Sequence, residues 1–364
     1  MKIIQFIYAL NSGGAERIVI DLSNELAEQG HEVIICALRD DQDGNNGFYK
    51  SEISEKVTYL NLCIPKGFRI KIFFTIYNII KKIDPMIVHC HLNLVNYIFP
   101  VTIFLNRIKY FHTIHTYAPN EIKNILEYWI RRFFYSSKKM RAITISKQTS
   151  DSFIKFYKTK NYHEIFNGRK ELKASAEIST VTNYFNNLRK DSQIIFIHVA
   201  RCLEVKNQKM LINVFNRIIS EGHSVSLILI GYDFDSELGK ELQDIAEKNI
   251  YFLGEKTNIS DYYLNADAFC LSSKNEGMPI TLIEALSCGC TPICTPVGGI
   301  IDTIENNKTG FLSNSISEID YYQAIIIYLK NKENIIKENL INYYNSHFSI
   351  KECAKKHLDM YYKD

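Results

Sequence analysis

No stretch of this sequence is apolar for long enough to cross a bilayer. The longest apolar segment, Leu92 to Leu105, is interrupted by Asn93 and Asn96 and is shorter than the ~20 residues a spanning helix needs. A signal segment is not expected: Met1-Lys2 runs straight into Ile3-Ile4-Gln5-Phe6-Ile7, which reads as a strand. Short-period repeats and low-complexity runs are also missing. Cysteine is present nine times, an odd number, with Cys36, Cys90, Cys270 and Cys294 standing singly in apolar strands. Cys288, Cys290 and Cys294 cluster, but without a C-x-x-C pair or a nearby histidine they lack zinc-site spacing. They read as small buried hydrophobes in a reducing compartment. A soluble or peripheral cytoplasmic protein is expected.

Charge of one sign is also scarce, with a net of +3 over 364 residues. That small excess, and the lack of any recognition motif, argue against nucleic acid as a partner. The balance hides an asymmetry. Residues 1–168 carry 22 Lys+Arg against 15 Asp+Glu, and residues 169–364 carry 21 against 25. Two domains with different partners follow, the basic one suited to an anionic surface or acceptor.

With 46% apolar residues the chain can build full cores. Strands expected at Ile3–Tyr8, Glu32–Leu38, Met86–Cys90, Phe111–His115, Ala142–Ile145 and Glu164–Phe166 alternate with helical or irregular segments, the first a helix at Ala15–Gln29. This rhythm predicts a parallel sheet with helices on both faces. Residues 168–192, rich in Lys, Asn, Ser and Thr, read as an irregular linker. The rhythm restarts at Ile194–Ala200 and continues through a helix near Gln208–Ser220, strand Ser226–Ile230, a helix near Glu237–Lys248 and strand Tyr251–Leu253. The tail from about Asn331 is helical and charged. The fold class is α/β: two Rossmann-like domains, 1–168 and 169–345, facing a central cleft. Open parallel sheets bind ligands at the carboxyl ends of their strands.

The densest chemistry lies in Ser273 to Gly299, SKNEGMPITLIEALSCGCTPICTPVGG. A buried strand, Asp267–Leu271, precedes it, and Thr291–Cys294 is the next. Pro279 suits the first turn of a helix running Ile280 to Ser287, which Gly289 ends. Glu284 falls among Leu282, Ile283, Ala285 and Leu286. A charge there needs a partner, either an internal salt bridge or the hydroxyls of a ligand. Glu276 precedes the helix start, where free N–H groups favour anions; it caps the helix or meets a ligand.

Ser12-Gly13-Gly14-Ala15-Glu16-Arg17 follows the first strand. Its glycines make a tight turn or let a phosphate approach a helix start. No third glycine follows, so a dinucleotide fingerprint is not met. Arg201 and Lys206, five apart in the loop after Ile194–Ala200, could hold a diphosphate. His115 ends a strand and could bond a sugar hydroxyl. His89 and His91 end another; a metal reading lacks a third ligand, and packing with loop hydrogen bonds is expected. Asp41-Gln42-Asp43 reads as a solvated turn. Asp233-Phe234-Asp235, after a strand, is the other D-x-D string, a type that can hold a divalent metal on a diphosphate. Arg201 and Lys206 already supply that charge, so metal independence is expected.

Two basic-aromatic stretches could lie on anionic membrane. Lys66-Gly67-Phe68-Arg69-Ile70-Lys71-Ile72-Phe73-Phe74 is the stronger candidate. In the other, Arg131 to Lys139, the stripe Ile122, Ile125, Leu126, Trp129, Ile130, Phe133 and Phe134 has helical spacing and is expected to face the core.

Glu276 and Glu284 at E-x7-E spacing, with Gly277-Met278-Pro279 between, resemble the retaining glycosyltransferases of family 4, of GT-B fold. The resemblance covers nearly the whole chain and is strongest from Ile194 to Leu312, including Pro296-Val297-Gly298-Gly299 and Thr309-Gly310-Phe311-Leu312. Arg201 to Phe215 is similar to the family's R…K-N-Q-x-x-L-I-x-x-F segment. Ile230-Gly231-Tyr232 departs from its G-x-G, lacking the second glycine. The resemblance implies roles. Arg201 and Lys206 hold the donor diphosphate, under Gly13 and Gly14. Glu284 holds the ribose. Glu276 with the Gly277-Met278-Pro279 backbone, and His115, meet the transferred sugar. Asn167-Gly168 closes the first domain, which binds the acceptor, and residues 346–364 form a helix returning to it. No cofactor or metal is implied. The expected partners are a nucleotide-sugar, UDP more often than not, and a glycan or lipid-linked acceptor of surface polysaccharide synthesis, with peripheral contact to anionic membrane at the inner face. Two other readings share the fold. A nucleotide-sugar 2-epimerase needs paired acid and base residues, and none stands out. A non-catalytic binding subunit is opposed by the intact Arg201, Lys206, Glu276 and Glu284.

Overall fold

Short apolar strands cannot bury both faces alone, and the amphipathic segments between them supply the cover. The computed structural model describes residues 1–11, 13–39, 49–65 and 70–363. Its contacts divide the chain into one unit of Met1–Lys170 with Ser349–Asp364, and a second of Glu171–Phe348.

The first unit holds β1 (Lys2–Ile7), β2 (Glu32–Ala37), β3 (Val57–Asn61), β4 (Ile87–His91), β5 (Lys109–Ile114), β6 (Arg141–Thr144) and β7 (Tyr162–Glu164). They lie in the order β3-β2-β1-β4-β5-β6-β7, every pairing parallel. Strand order reverses between β1 and β4, the switch point where such sheets open a crevice. Alternation along β1 sends Ile4 and Phe6 to one core and Ile3 and Ile7 to the other. The helix Gly14–Glu28 and the last helix, Ile350–Lys363, cover the second face, where Val19 and Leu22 join Cys353, Ala354, Met360 and Tyr361. Gly168 permits this packing: a Cβ there would lie 2.9 Å from the Ser349 carbonyl oxygen. Arg169 and Asp21, both buried, pair at 2.6 Å beside it.

The second unit repeats the plan with β8 (Ile194–Val199), β9 (Val225–Ile230), β10 (Ile250–Phe252), β11 (Ala268–Leu271), β12 (Thr291–Cys294) and β13 (Phe311–Leu312). The order is β10-β9-β8-β11-β12-β13, again all parallel. Its switch point lies between β8 and β11.

Two segments differ from the sequence reading. The stretch 168–192 contains the helix Ile178–Leu188. Only Val181 and Phe185, one turn apart, carry its buried face, against Tyr262, so the polar residues around them hide the period. β3 was not expected. It is an edge strand buried fully only at Val57, too weakly patterned to read.

Candidate active site

In the second unit the loops after β8 and β11 meet at the switch point. Ser272, at the end of β11, donates to the Lys206 carbonyl at 2.9 Å, which fixes the turn Glu204–Lys206. Asn207, in the left-handed region, then starts the helix Gln208–Ser220. Lys206 Nζ lies 2.6 Å from Glu276 Oε1, which also accepts from Ser273 Oγ at 2.6 Å. Both side chains are largely buried, at 22% and 10% exposure. The structure thus brings together two of the residues singled out in the sequence. Arg201 stands differently. Its Nε donates to Asp233 Oδ2 at 2.5 Å, and the side chain is 55% exposed.

The loop carrying Glu276 is held from behind. Gly298 has φ +57°, and a Cβ there would collide with the Glu276 carbonyl; Gly299 N–H donates to the Gly277 carbonyl at 2.6 Å. Met278 is buried, and Pro279 takes the cap position, one residue before the helix Ile280–Ser287 begins. Glu284 sits in that helix at 7% exposure among four fully buried apolar neighbours. Asp233 of the second D-x-D string is committed to Arg201, and Asp41 and Asp43 lie outside the described residues. Among the described residues no three His, Cys, Asp or Glu side chains converge as a metal set.

In the first unit Gly13 caps the helix Gly14–Glu28 with extended backbone and no side-chain bond. Ser12 lies outside the described residues. Glu16, in the first turn, is packed against Gly13, and burial pushes its carboxyl up to about 7. His115 follows β5. Its backbone N–H donates to Glu121 Oε1 at 3.0 Å, and its ring Nε2 lies 3.1 Å from His91 Nδ1. Burial pulls His115 down to about 4 and pushes Glu121 up to about 7, the latter against the pull of Arg131. His89 and His91 make buried hydrogen bonds, as expected, but to side chains rather than loops: Thr113 and Tyr361 for His89, Gln5 and His115 for His91. Sequence reasoning missed Gln5 and Glu121. Neither carries a motif, and only the alternation of β1, which puts Gln5 beside apolar neighbours, hints at a buried polar role.

A cavity of about 800 Å³ opens beside these elements within the first unit. Apolar Leu38, Ile72, Leu126 and Ile130 line it with polar Arg39 and Asn96.

The stripe on the helix Ile125–Ser136 corrects an expectation. Ile125, Leu126, Trp129, Ile130 and Phe133 face solvent at 69%, 67%, 57%, 41% and 59% exposure. The inward face is led by Arg131, which is fully buried. Arg131 bonds Glu127 at 2.6 Å, Asn93 at 2.8 Å, Asn96 at 3.2 Å and Glu121 at 3.3 Å. Four partners satisfy the guanidinium, and Phe134 and Tyr135 bury beside it. Once the arginine turns inward, the apolar stripe must turn out. In the other basic-aromatic stretch, residues 66–69 lie outside the described residues, while Phe74 is 58% exposed. No described helix is long and apolar enough to cross a membrane.

Comparison with known proteins decides the family. Residues 181–346 match the family described as glycosyl transferases group 1, and residues 12–169 match glycosyltransferase family 4. The chain belongs to the family 4, group 1 glycosyltransferases. The glycosyltransferase is 27% identical over 363 residues to the Campylobacter jejuni GalNAc-alpha-(1->4)-GalNAc-alpha-(1->3)-diNAcBac-PP-undecaprenol alpha-1,4-N-acetyl-D-galactosaminyltransferase, covering 94% of this chain and 92% of that relative. It is 26% identical over 317 residues to the capsular polysaccharide biosynthesis glycosyltransferase CapH of Staphylococcus aureus, covering 82% of each. Some other relatives are matched over only about half of their length. Among solved structures it resembles Anabaena Alr3699/HepE in complex with UDP, with a TM-score of 0.81, 16% identity and full coverage of both chains. That likeness is of fold, and the fold is GT-B.

Proposed function

We propose that this glycosyltransferase moves a sugar, with retained anomeric configuration, from a UDP-sugar to a hydroxyl of a lipid-linked glycan in surface polysaccharide assembly. The Lys206–Glu276 contact at the switch point carries the reading, because it joins a phosphate-binding cation to a carboxylate suited to sugar hydroxyls. The Campylobacter jejuni and Staphylococcus aureus relatives support the glycan class and the lipid-diphosphate acceptor, and the UDP in the Anabaena structure supports the base.

Arg201 and Lys206 hold the donor diphosphate and stabilise the charge that builds on it as it leaves. Gly13 and Gly14 present helix N–H groups to the same phosphates. Glu284 accepts from the ribose hydroxyls. Glu276 and the Gly277-Met278-Pro279 backbone hold the transferred sugar with His115. In a front-face displacement the bond from the anomeric carbon to the phosphate oxygen breaks as the acceptor oxygen bonds to that carbon. The acceptor's proton passes to the leaving phosphate, so no separate base or metal is required. The first unit, with its part-apolar cavity, takes the acceptor. The outward apolar helix with Arg132, Lys138 and Lys139 near it rests on an anionic membrane surface.

Nucleotide release from a panel of UDP-, GDP- and ADP-sugars, with EDTA and a bacterial lipid extract present, tests this reading. Release from one donor that survives EDTA and is lost in Arg201→Ala and Glu284→Ala is expected. A requirement for divalent metal would return Asp233 and Asp235 to the site. Failure to bind any nucleotide would sink the reading.

A further inference from the structure

The first unit buries a chain of side chains that ends at His115. Gln5 on β1, His91 on β4 and His115 beyond β5 are 0%, 0% and 9% exposed. His91 Nε2 lies 2.9 Å from Gln5 Oε1, and His91 Nδ1 lies 3.1 Å from His115 Nε2. A carboxamide oxygen only accepts, so His91 Nε2 carries a proton. A neutral imidazole has one N–H, so His91 Nδ1 is bare and accepts. The proton between the two rings therefore belongs to His115 Nε2. Burial keeps both rings neutral: desolvation holds His91 far below the ordinary histidine range and His115 at about 4. His115 Nδ1 is left without a proton, and it makes no hydrogen bond among the described residues.

One neighbouring contact bears on the direction: Gln5 Nε2, the other end of the amide, is buried without a hydrogen bond among the described residues, and the amide interacts with the Tyr361 hydroxyl, which can accept from it. His89 meets Thr113 Oγ1 at 2.6 Å and the Tyr361 hydroxyl at 2.7 Å, and either hydroxyl can donate or accept. The carbonyl of Gln5 is the one partner in the chain that can only accept.

We infer that Gln5, acting through His91, sets His115 in its Nε2–H tautomer, so that His115 Nδ1 meets the transferred sugar as a hydrogen-bond acceptor. This rests on the proposed contact of His115 with that sugar, and it adds a substrate class: the sugar offers a free hydroxyl there. A deoxygenated or O-alkylated sugar leaves Nδ1 unpaired, and a site built to bond a hydroxyl rejects the analogue lacking it. Gln5 and His91 touch no substrate and act as positioning residues.

Long-range proton–nitrogen correlation NMR on the full-length protein with 15N-labelled histidine reads both tautomers directly. Wild type should show Nε2–H at His91 and at His115. An Nδ1–H signal at His115 overturns the inference without any variant. Gln5→Leu removes the acceptor while keeping apolar volume. It should turn His115 into a tautomer mixture and cut the preference for the parent UDP-sugar over one of its monodeoxy forms by roughly tenfold, a ratio that general loss of structure would not move. An unchanged tautomer in that variant also overturns the inference. If the tautomers are as stated but His115→Ala keeps the full preference over every monodeoxy donor, the sugar contact falls, and the role of Gln5 with it.

Discussion

Lys206 and Glu276 meet across the switch point of the second sheet, Nζ to Oε1 at 2.6 Å. Seventy positions apart in the chain, they touch because β8 and β11 are neighbours and each loop leaves a carboxyl end. In the proposed reading, an arriving diphosphate would draw on the same ammonium that Glu276 holds.

Lys206→Ala and Arg201→Ala should each lower kcat/KM by roughly 10²–10³-fold, the scale for losing one donor aimed at developing charge. Thermal unfolding separates their structural effects. Arg201 is 55% exposed, and exposed pairs contribute about 0–1 kcal/mol, so Arg201→Ala should barely move Tm.

Gly298→Ala should act at a distance from any ligand. The residue has φ +57° and faces the Glu276 carbonyl. An alanine there costs about 1–2 kcal/mol for its backbone alone and must push the Glu276 loop. Lower Tm and reduced turnover are expected, with binding of free UDP by calorimetry largely kept.

Much of this was legible in the sequence. Strands and helices of the second unit announce themselves through clean periods, and the helices Gln208–Ser220 and Ile280–Ser287 begin and end where propensity and breakers put them. The placement of Arg201, Lys206 and His115 just past strand ends was readable because the apolar runs of β8 and β5 stop cleanly before them. The helix Ile125–Ser136 was misread for a physical reason. Its apolar stripe is the stronger pattern, but orientation was decided by Arg131, whose partners Asn93, Asn96 and Glu121 come from other segments. Tertiary hydrogen bonding of that kind leaves no periodic trace.

Arg131→Met tests that account. Removing the guanidinium takes from the Glu121 and Glu127 carboxyls the cation they share and leaves their buried oxygens and those of Asn93 and Asn96 short of a donor; breaking a buried pair from one side costs about 3–5 kcal/mol. Urea unfolding should show the loss. Activity should fall as well, because Glu121 holds the His115 backbone N–H.

Trp129 is the chain's single tryptophan and lies on the exposed stripe at 57%. Its emission should shift to the blue on adding vesicles rich in anionic lipid, and much less with zwitterionic ones. Phe133→Ser should weaken vesicle binding with Tm unchanged, whereas Phe134→Ser, on the buried side, should lower Tm.

Acid should unfold the first unit early. His115 and His357 are pulled down to about 4 by burial, and His89, His91 and His112 lie well below their ordinary value. The unfolded chain therefore binds more protons below about pH 6.5, and stability falls as pH drops from there to about 4, by about 1.4 kcal/mol per unit for each such ring. Glu16 and Glu121, raised to about 7, work the other way, losing stability as pH rises through about 4.5 to 7. Five histidines outweigh two carboxyls, so urea midpoints should decline between pH 6.5 and 5.

Transfer of radiolabelled sugar from UDP-sugars into a solvent-extractable lipid, with EDTA present, tests the central claim most directly. Label should enter the lipid phase from one donor, in the donor's anomeric configuration, and should not do so with Lys206→Ala. Label that stays in water from every donor, or enters lipid with inverted configuration, would contradict it.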